Sequence, residues 1–225
     1  MNPLLVFDLD GTLIDSAPDI IRAVNRTLTT HGKNPLSDEV IISHIGEGLK
    51  KLIADIFAQD NLDEKEATRL EGVFLKIYEE EMLGATRIYP GVEDFLSSYE
   101  GPMAIITNKN EAPAKKIIRH LGLDRFPWLN IIGADTLPER KPSPLGLHTV
   151  MKLSDYTPEN TFMIGDGIPD MVSAQRANVR SIAIGFGYTE LNILKKYEPV
   201  AVLEHYSNMP DLLTRISYKK HTETL

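Results

Sequence analysis

Two aspartates, Asp8 and Asp10, stand one residue apart where the apolar run Leu4, Leu5, Val6, Phe7 meets a Gly-Thr turn. Like charges at the end of a strand that reads as buried repel one another, so a cation or a retained proton has to compensate them. Other polar residues recur at matching places: Thr107-Asn108 after MAII, Asp135 after NIIGA, Lys141 in the loop beyond it, Asp166 after TFMIG, and Asp170 four residues later. Each alone would serve as a helix cap or a turn former. Capping does not explain carboxylates paired within one turn. Mg²⁺ takes oxygen ligands from one or two carboxylates, water and substrate phosphate, which would relieve the repulsion. A carboxylate can also attack phosphorus while a second carboxyl, kept protonated by its neighbours, donates to the leaving oxygen.

The elements that must position these residues are short apolar segments separated by amphipathic ones. LLVFDLD, MAIITN from Met103, NIIGAD from Asn130, TFMIGD from Thr161 and SIAIG from Ser181 read as strands buried on both faces, with PVAVLE from Pro199 as a sixth. Helical patterns over Glu111 to Leu121 and Ser143 to Leu153 lie between them. This alternation predicts an α/β fold, with a parallel sheet covered by helices on both sides. Ligands of such sheets bind beyond the carboxyl ends of the strands, where the polar residues fall.

Between Asp15 and about Pro90 the pattern changes to helices without a convincing strand. Ala17, Ile20, Ile21, Val24 and Leu28 mark one apolar face, and His31-Gly32 ends that helix. Ser37 opens a short helix broken by Gly46 and Gly48, Leu49 to Ala58 resumes, and a long helix runs from Asp63 to Leu83. Pro90-Gly91 marks the return, with a helix from Val92. Residues 16–86 are thus expected to form an inserted helical domain, with 1–15 and 87–225 as the core. The tail KKHTETL reads as loose.

Composition narrows the function. The chain has 225 residues, 42% hydrophobic and 25% charged, enough to bury a full core. A net charge of -8 and a pI near 5.3 argue against a nucleic-acid or anionic-membrane partner. There is no cysteine, hence no disulfide framework and no thiolate nucleophile, which fits a reducing compartment such as the cytoplasm. No signal peptide or run of about 20 apolar residues is evident.

The set FDLDGTLIDS, Thr107 in IITNK, Lys141 in ERKPSP and GDGIPD from Gly165 resembles the four motifs, in order, of the haloacid dehalogenase-like superfamily. DSAPDI, RIYPGV, AQRANV and GFGY are closer to its phosphoglycolate phosphatase-like branch. The resemblance implies a Rossmann-like three-layer core with a central parallel sheet plus an α-helical cap that sets substrate specificity. It implies Asp8 as nucleophile and Asp10 as general acid, later the base for water. Thr107 and Lys141 would hold the phosphoryl group, and Leu9 and Asn108 are further phosphate-binding candidates. Mg²⁺ would be bound by Asp8, the backbone carbonyl of Asp10, Asp166 and Asp170; for Asp170, just after Pro169, a helix cap is the competing role.

The resemblance leaves the reaction open. A haloacid dehalogenase and a phosphonatase both replace the second aspartate, so Asp10 argues against them. A phosphohexose mutase, a pyrophosphatase or a nucleotidase would keep it, and a non-catalytic binding protein is the reading from another class. DSAPDI favours the phosphatase, acting on a small phosphorylated substrate such as phosphoglycolate, as monomer or homodimer. Gly46 and Gly48 are the expected substrate-facing cap residues, since glycine lets backbone approach a ligand closely. Lys50 or Lys51 could meet a carboxylate but read as a solvated face. His31, His44 and His148 read as structural, and Tyr89 and Trp128 as packing residues. Hinges are expected near Asp15 to Ala17 and Arg87 to Gly91.

Overall fold

Strands that are apolar at consecutive positions need cover on both faces, and the sheet provides it. The computed structural model describes residues 2–57 and 63–218. Its core holds β1 (Leu4–Phe7), β4 (Met103–Ile106), β5 (Trp128–Ile132), β6 (Thr161–Gly165), β7 (Arg180–Ile184) and β8 (Ala201–Leu203), paired in the order β5-β4-β1-β6-β7-β8 with every pairing parallel. α5 (Val92–Ser98), α6 (Glu111–His120), α7 (Leu145–Ser154), α8 (Ile168–Arg176), α9 (Leu191–Leu194) and α10 (Met209–Tyr218) accompany the strands. Alternate residues of β1 serve opposite faces. Leu5 and Phe7 join one apolar cluster with Ile105 and Ile164, whereas Leu4 and Val6 join another with Ala104, Met163 and, from α7, Leu147 and Val150.

The first cluster continues without a break into the inserted segment, through Leu9, Leu13 and Ile14 to Leu28, Phe57, Leu70 and Phe74. That segment holds α1 (Ala17–Thr30), α2 (Asp38–Ile42), α3 (Leu49–Ile56) and α4 (Glu64–Glu81). Helix α4 buries Leu70, Phe74, Ile77 and Tyr78, a stripe at helical spacing, and starts in a reciprocal cap between Asp63 and Glu66. The expected helices fall where the periodicity put them, except that α7 begins at Leu145 rather than Ser143. The end of the third helix at Ala58 and the tail KKHTETL lie outside the described residues.

Two strand readings need correction. β5 begins at Trp128, not Asn130, with the Trp128 ring edge-on to Phe7 and Phe126. The insertion is not strand-free at its borders: β2 (Ile14–Asp15) pairs antiparallel with β3 (Arg87–Ile88). Two residues are too short for a period-2 pattern to register in sequence. This ribbon carries both crossings between core and helical insertion.

Candidate active site

The ladder does not stop where the strands end. Asp8 N–H donates to Ile164 O at 2.9 Å and Thr107 N–H to Ile132 O at 2.9 Å, so both residues inherit the rigidity of the sheet. Beyond Asp8 the chain folds back: Leu13 and Ile14 N–H both donate to Leu9 O, at 2.9 and 3.1 Å. Gly11 sits in this turn at φ +74, and a methyl there would fall 2.2 Å from an Asp166 carboxylate oxygen. Only glycine meets both demands. The Leu9 side chain is fully buried, so Leu9 can offer a ligand only its backbone.

Asp8, Asp166 and Asp170 are buried, with one carboxylate oxygen from each within 4.8 Å of the others. Lys141 Nζ lies 2.9 Å from Asp8 Oδ1 and 2.6 Å from Asp170 Oδ1, and donates to Ile106 O at 2.6 Å. Three carboxylates against one ammonium leave two negative charges uncompensated. Burial first, then the Asp170 charge, pushes the Asp8 carboxyl up to about 7 despite Lys141. Burial and Asp8 likewise raise Asp166 well above the usual carboxylate range. Burial opposes the charge on Lys141, but Asp170 and Asp8 outweigh it and hold the ammonium. A pocket of oxygen donors two charges short fits a hard divalent cation.

Asp166 is aimed by Thr12 Oγ1, which donates to Oδ1 at 2.9 Å, and by Tyr188 N–H, which donates to Oδ2 at 2.8 Å. Asp170 takes the capping role, its Oδ2 accepting from Gly167 N–H at 2.9 Å at the start of α8, while its Oδ1 faces Lys141. Asp135 is structural: its carboxylate accepts from Glu111 N–H at 2.7 Å and opens α6.

Asp10 points away from the cluster, as two residues across a tight turn allow. Its Oδ1 accepts from Ser16 Oγ, and its Oδ2 lies 3.0 Å from Lys109 Nζ. Thus the metal-like carboxylates and the candidate acid have separate cations. Asn108 Nδ2 donates to Lys141 O at 3.0 Å and to Gly46 O at 3.1 Å, tying the core to the loop of the helical segment. Thr107 Oγ1 accepts from Lys109 N–H at 3.1 Å.

A cleft opens beside these groups. Asp8, Asp10, Thr107, Asn108 and Lys109 form one side; Ile20, His44, Gly46, Gly48, Leu49, Leu52, Phe74 and Tyr78 contribute the other. Neither Lys50 nor Lys51 is among the lining residues, and Lys51 pairs with Asp55. His44 does line the cleft, its Nδ1 3.3 Å from Asp55 Oδ2. His31 Nδ1 contacts Thr27 O, and Tyr89 packs on Phe186.

Sequence reasoning overlooked Lys109, Tyr78, Asp19 and Tyr188. Asp19 is fully buried and accepts from Ala85 N–H, Thr86 N–H and Thr86 Oγ1 as well as Arg22, pinning the exit of the insertion to its entrance. Tyr188 Oη accepts from Ser16 N–H at 2.8 Å and Ala17 N–H at 3.0 Å. It thereby caps α1 while Ser16 spends its hydroxyl on Asp10. DSAPDI and GFGY were the available signals: they contain these residues.

A family model described as haloacid dehalogenase-like hydrolase matches residues 5–184. A phosphoglycolate phosphatase of Neisseria meningitidis is 33% identical, over 97% of this chain and 95% of the relative. One of Mesorhizobium japonicum is 35% identical, over 91% and 92%. Among solved structures, a haloacid dehalogenase-like family hydrolase of Streptococcus pneumoniae superposes with a TM-score of 0.82, covering 94% of this chain and 98% of that one at 24% identity. The six-stranded parallel core and the order of its four motifs have their explanation in that match: the chain belongs to the haloacid dehalogenase-like hydrolases.

Proposed function

We propose that this protein hydrolyses a small phosphate monoester, phosphoglycolate in the first place, through an aspartyl-phosphate on Asp8 with Mg²⁺ as cofactor. The observation that carries the reading is the buried triad Asp8, Asp166 and Asp170, two charges short of neutrality around a single lysine. The relatives named phosphoglycolate phosphatase, matched over nearly their whole length, support the choice of substrate.

Asp8 attacks phosphorus and the ester oxygen leaves. Asp10 gives that oxygen its proton, then takes one from the water that cleaves the acyl phosphate. Asp10 stands apart from the triad, with Ser16 and Lys109 as its neighbours. Lys141, Thr107, Asn108 and the Leu9 backbone orient the phosphoryl oxygens, the positioning on which phosphoryl transfer depends. Asp8, Asp166, Asp170 and the Asp10 carbonyl would hold Mg²⁺, which when bound neutralises charge on the phosphoryl oxygens.

Residues 16–86 act as the cap, with 1–15 and 87–225 as the catalytic core. Gly46 and Gly48 present the cap loop to the cleft, and the β2/β3 ribbon is the hinge. The described residues include no helix long and apolar enough to cross a membrane. With the acidic surface, this favours a cytoplasmic enzyme without nucleic-acid partners, as monomer or homodimer.

Phosphate release from phosphoglycolate, sugar phosphates, nucleoside monophosphates and pyrophosphate, with Mg²⁺ or chelator, tests the reading. Release should be fastest from phosphoglycolate, require Mg²⁺, and fall by at least about 10⁴-fold in Asp8→Asn, as for loss of a nucleophile. Equal turnover by Asp8→Asn would sink the mechanism; preference for another ester would sink the substrate.

A further inference from the structure

Two groups of the cleft that the chemistry above does not place on the phosphoryl group, Tyr78 and Lys109, can both donate. Tyr78 is only 3% exposed, and its hydroxyl has the Lys109 ammonium beside it but no acceptor for its own proton. Lys109 Nζ gives one direction to Asp10 and lies 4.8 Å from the centre of the Tyr78 ring. Lys141, by contrast, has Asp8, Asp170 and Ile106 O around its ammonium. A buried hydroxyl proton without an acceptor is costly, and it marks a place where something else supplies one.

We infer that the Tyr78 hydroxyl and the Lys109 ammonium form the subsite for a carboxylate at the far end of the substrate, bridging cap and core. This rests on the reading of the cleft as a phosphomonoesterase site and names what that site selects. Tyr78 comes from α4 and Lys109 from the loop after β4, so one carboxylate bound to both joins the two parts. Burial, only partly offset by Lys109, pushes the Tyr78 hydroxyl up to about 12, so it remains a donor at neutral pH. A hydroxyl beside an ammonium suits an anionic oxygen pair, and the ammonium repels a cation.

The surrounding wall narrows the ligand further. Ile20, Ile45, Leu49, Leu52, Phe74 and Leu75 line the cleft there. A sugar ring would strand several hydroxyls against that wall, whereas a short carbon chain ending in a carboxylate would not.

The test compares phosphoglycolate with its primary amide, which keeps the shape and removes the charge. Wild-type protein should favour the acid in kcat/KM, and Tyr78→Phe should shrink the acid-to-amide ratio by about tenfold, the worth of one hydrogen bond to a charged group. Lys109→Met should shrink it too, on top of a loss common to both esters through Asp10. If Tyr78 were merely structural, both esters would slow by one factor and the ratio would stand, which overturns the subsite while leaving the phosphatase reading intact. If wild-type protein hydrolysed neither ester, the choice of phosphoglycolate as substrate would fall by itself. Calorimetry with 3-phosphonopropionate and its amide then decides the subsite: an acid preference abolished by Tyr78→Phe upholds it, and equal affinities refute it.

Discussion

The floor of the cleft and its roof are built on opposite terms. On the floor, Asp8 and Thr107 extend the hydrogen-bond ladder of the sheet, Asp166 is aimed by Thr12 and Tyr188, and Asp170 is fixed at the start of α8. Charge is concentrated there, and with all three carboxyls ionised it would exceed the lysine by two. The roof is an apolar surface of α1, α3 and α4 with a glycine loop, meeting the floor at the bond from Asn108 to Gly46 and where Lys109 lies against Tyr78. The difference teaches that electrostatic work needs groups that cannot relax, which a parallel sheet supplies. Selection among substrates needs only a surface whose side chains can be exchanged.

Removing the floor's own cation should break this contrast most severely. Lys141→Met leaves Asp8 and Asp170 facing each other in a buried site, and loss of one partner from such a group costs about 3–5 kcal/mol. In chelator the variant should melt about 10 °C below wild type, given roughly 2–4 °C per kcal/mol for a chain of this size. Mg²⁺ should recover much of that loss, while kcat stays at least about 10²-fold down because the phosphoryl group has lost its fixed charge. An unchanged melting temperature in chelator would mean that the floor is not under electrostatic load.

A gentler probe changes only protons and metal. Asp8 and Asp166 both have carboxyls raised in the fold above their unfolded value, so the folded state holds protons that the unfolded chain has released. Their contribution to stability is complete below about pH 4, the unfolded value, and is lost as pH rises toward about 7, the value for Asp8. Metal-free protein should therefore lose stability across this window. Bound Mg²⁺ favours the ionised carboxylates, so the difference in melting temperature between Mg²⁺ and chelator should widen from pH 5 to pH 8. Thermal melts at four pH values suffice, and a constant difference would contradict the charge balance proposed for the floor.

The floor was also the more legible half in the sequence. Asp8, Asp166 and Asp170 could be singled out because strand ends are easy to find in apolar runs and unexpected acids there demand a reason, whereas Lys141 in its loop drew its role from the resemblance. The spacing of Asp8 and Asp10 did not reveal that the turn would send their carboxylates to different cations, Lys141 and Lys109, because turn geometry is decided by contacts such as Gly11 against Asp166. The roof was legible as helices and not as a binding surface. Tyr78 belongs to an apolar stripe at helical spacing, where an aromatic reads as core, and only the folded chain brings its hydroxyl beside a lysine distant in sequence. Asp19 and Tyr188 act across separations of 66 and 171 residues that no local pattern encodes.

The smallest perturbation lies at the seam between the two regions. Gly48 has φ +91 and ψ 162, a conformation nearly exclusive to glycine, and a methyl there would approach Asn108 O at 3.1 Å and the Arg140 guanidinium carbon at 3.4 Å. Gly46 is equally strained at φ +109 but has nothing within 4 Å of the same added atom. Both alanine variants should therefore lose about 1–2 kcal/mol to backbone strain, a few degrees in melting temperature. Only Gly48→Ala should in addition push the roof off the floor. Its kcat/KM should fall about tenfold further than that of Gly46→Ala, as expected when a substrate is held slightly out of position. Mg²⁺ affinity, read from the metal dependence of melting, should match wild type in both, because the triad lies entirely on the floor. Equal losses of kcat/KM in the two variants would place the effect in strain alone, and the close approach at Gly48 would then have no part in seating the cap.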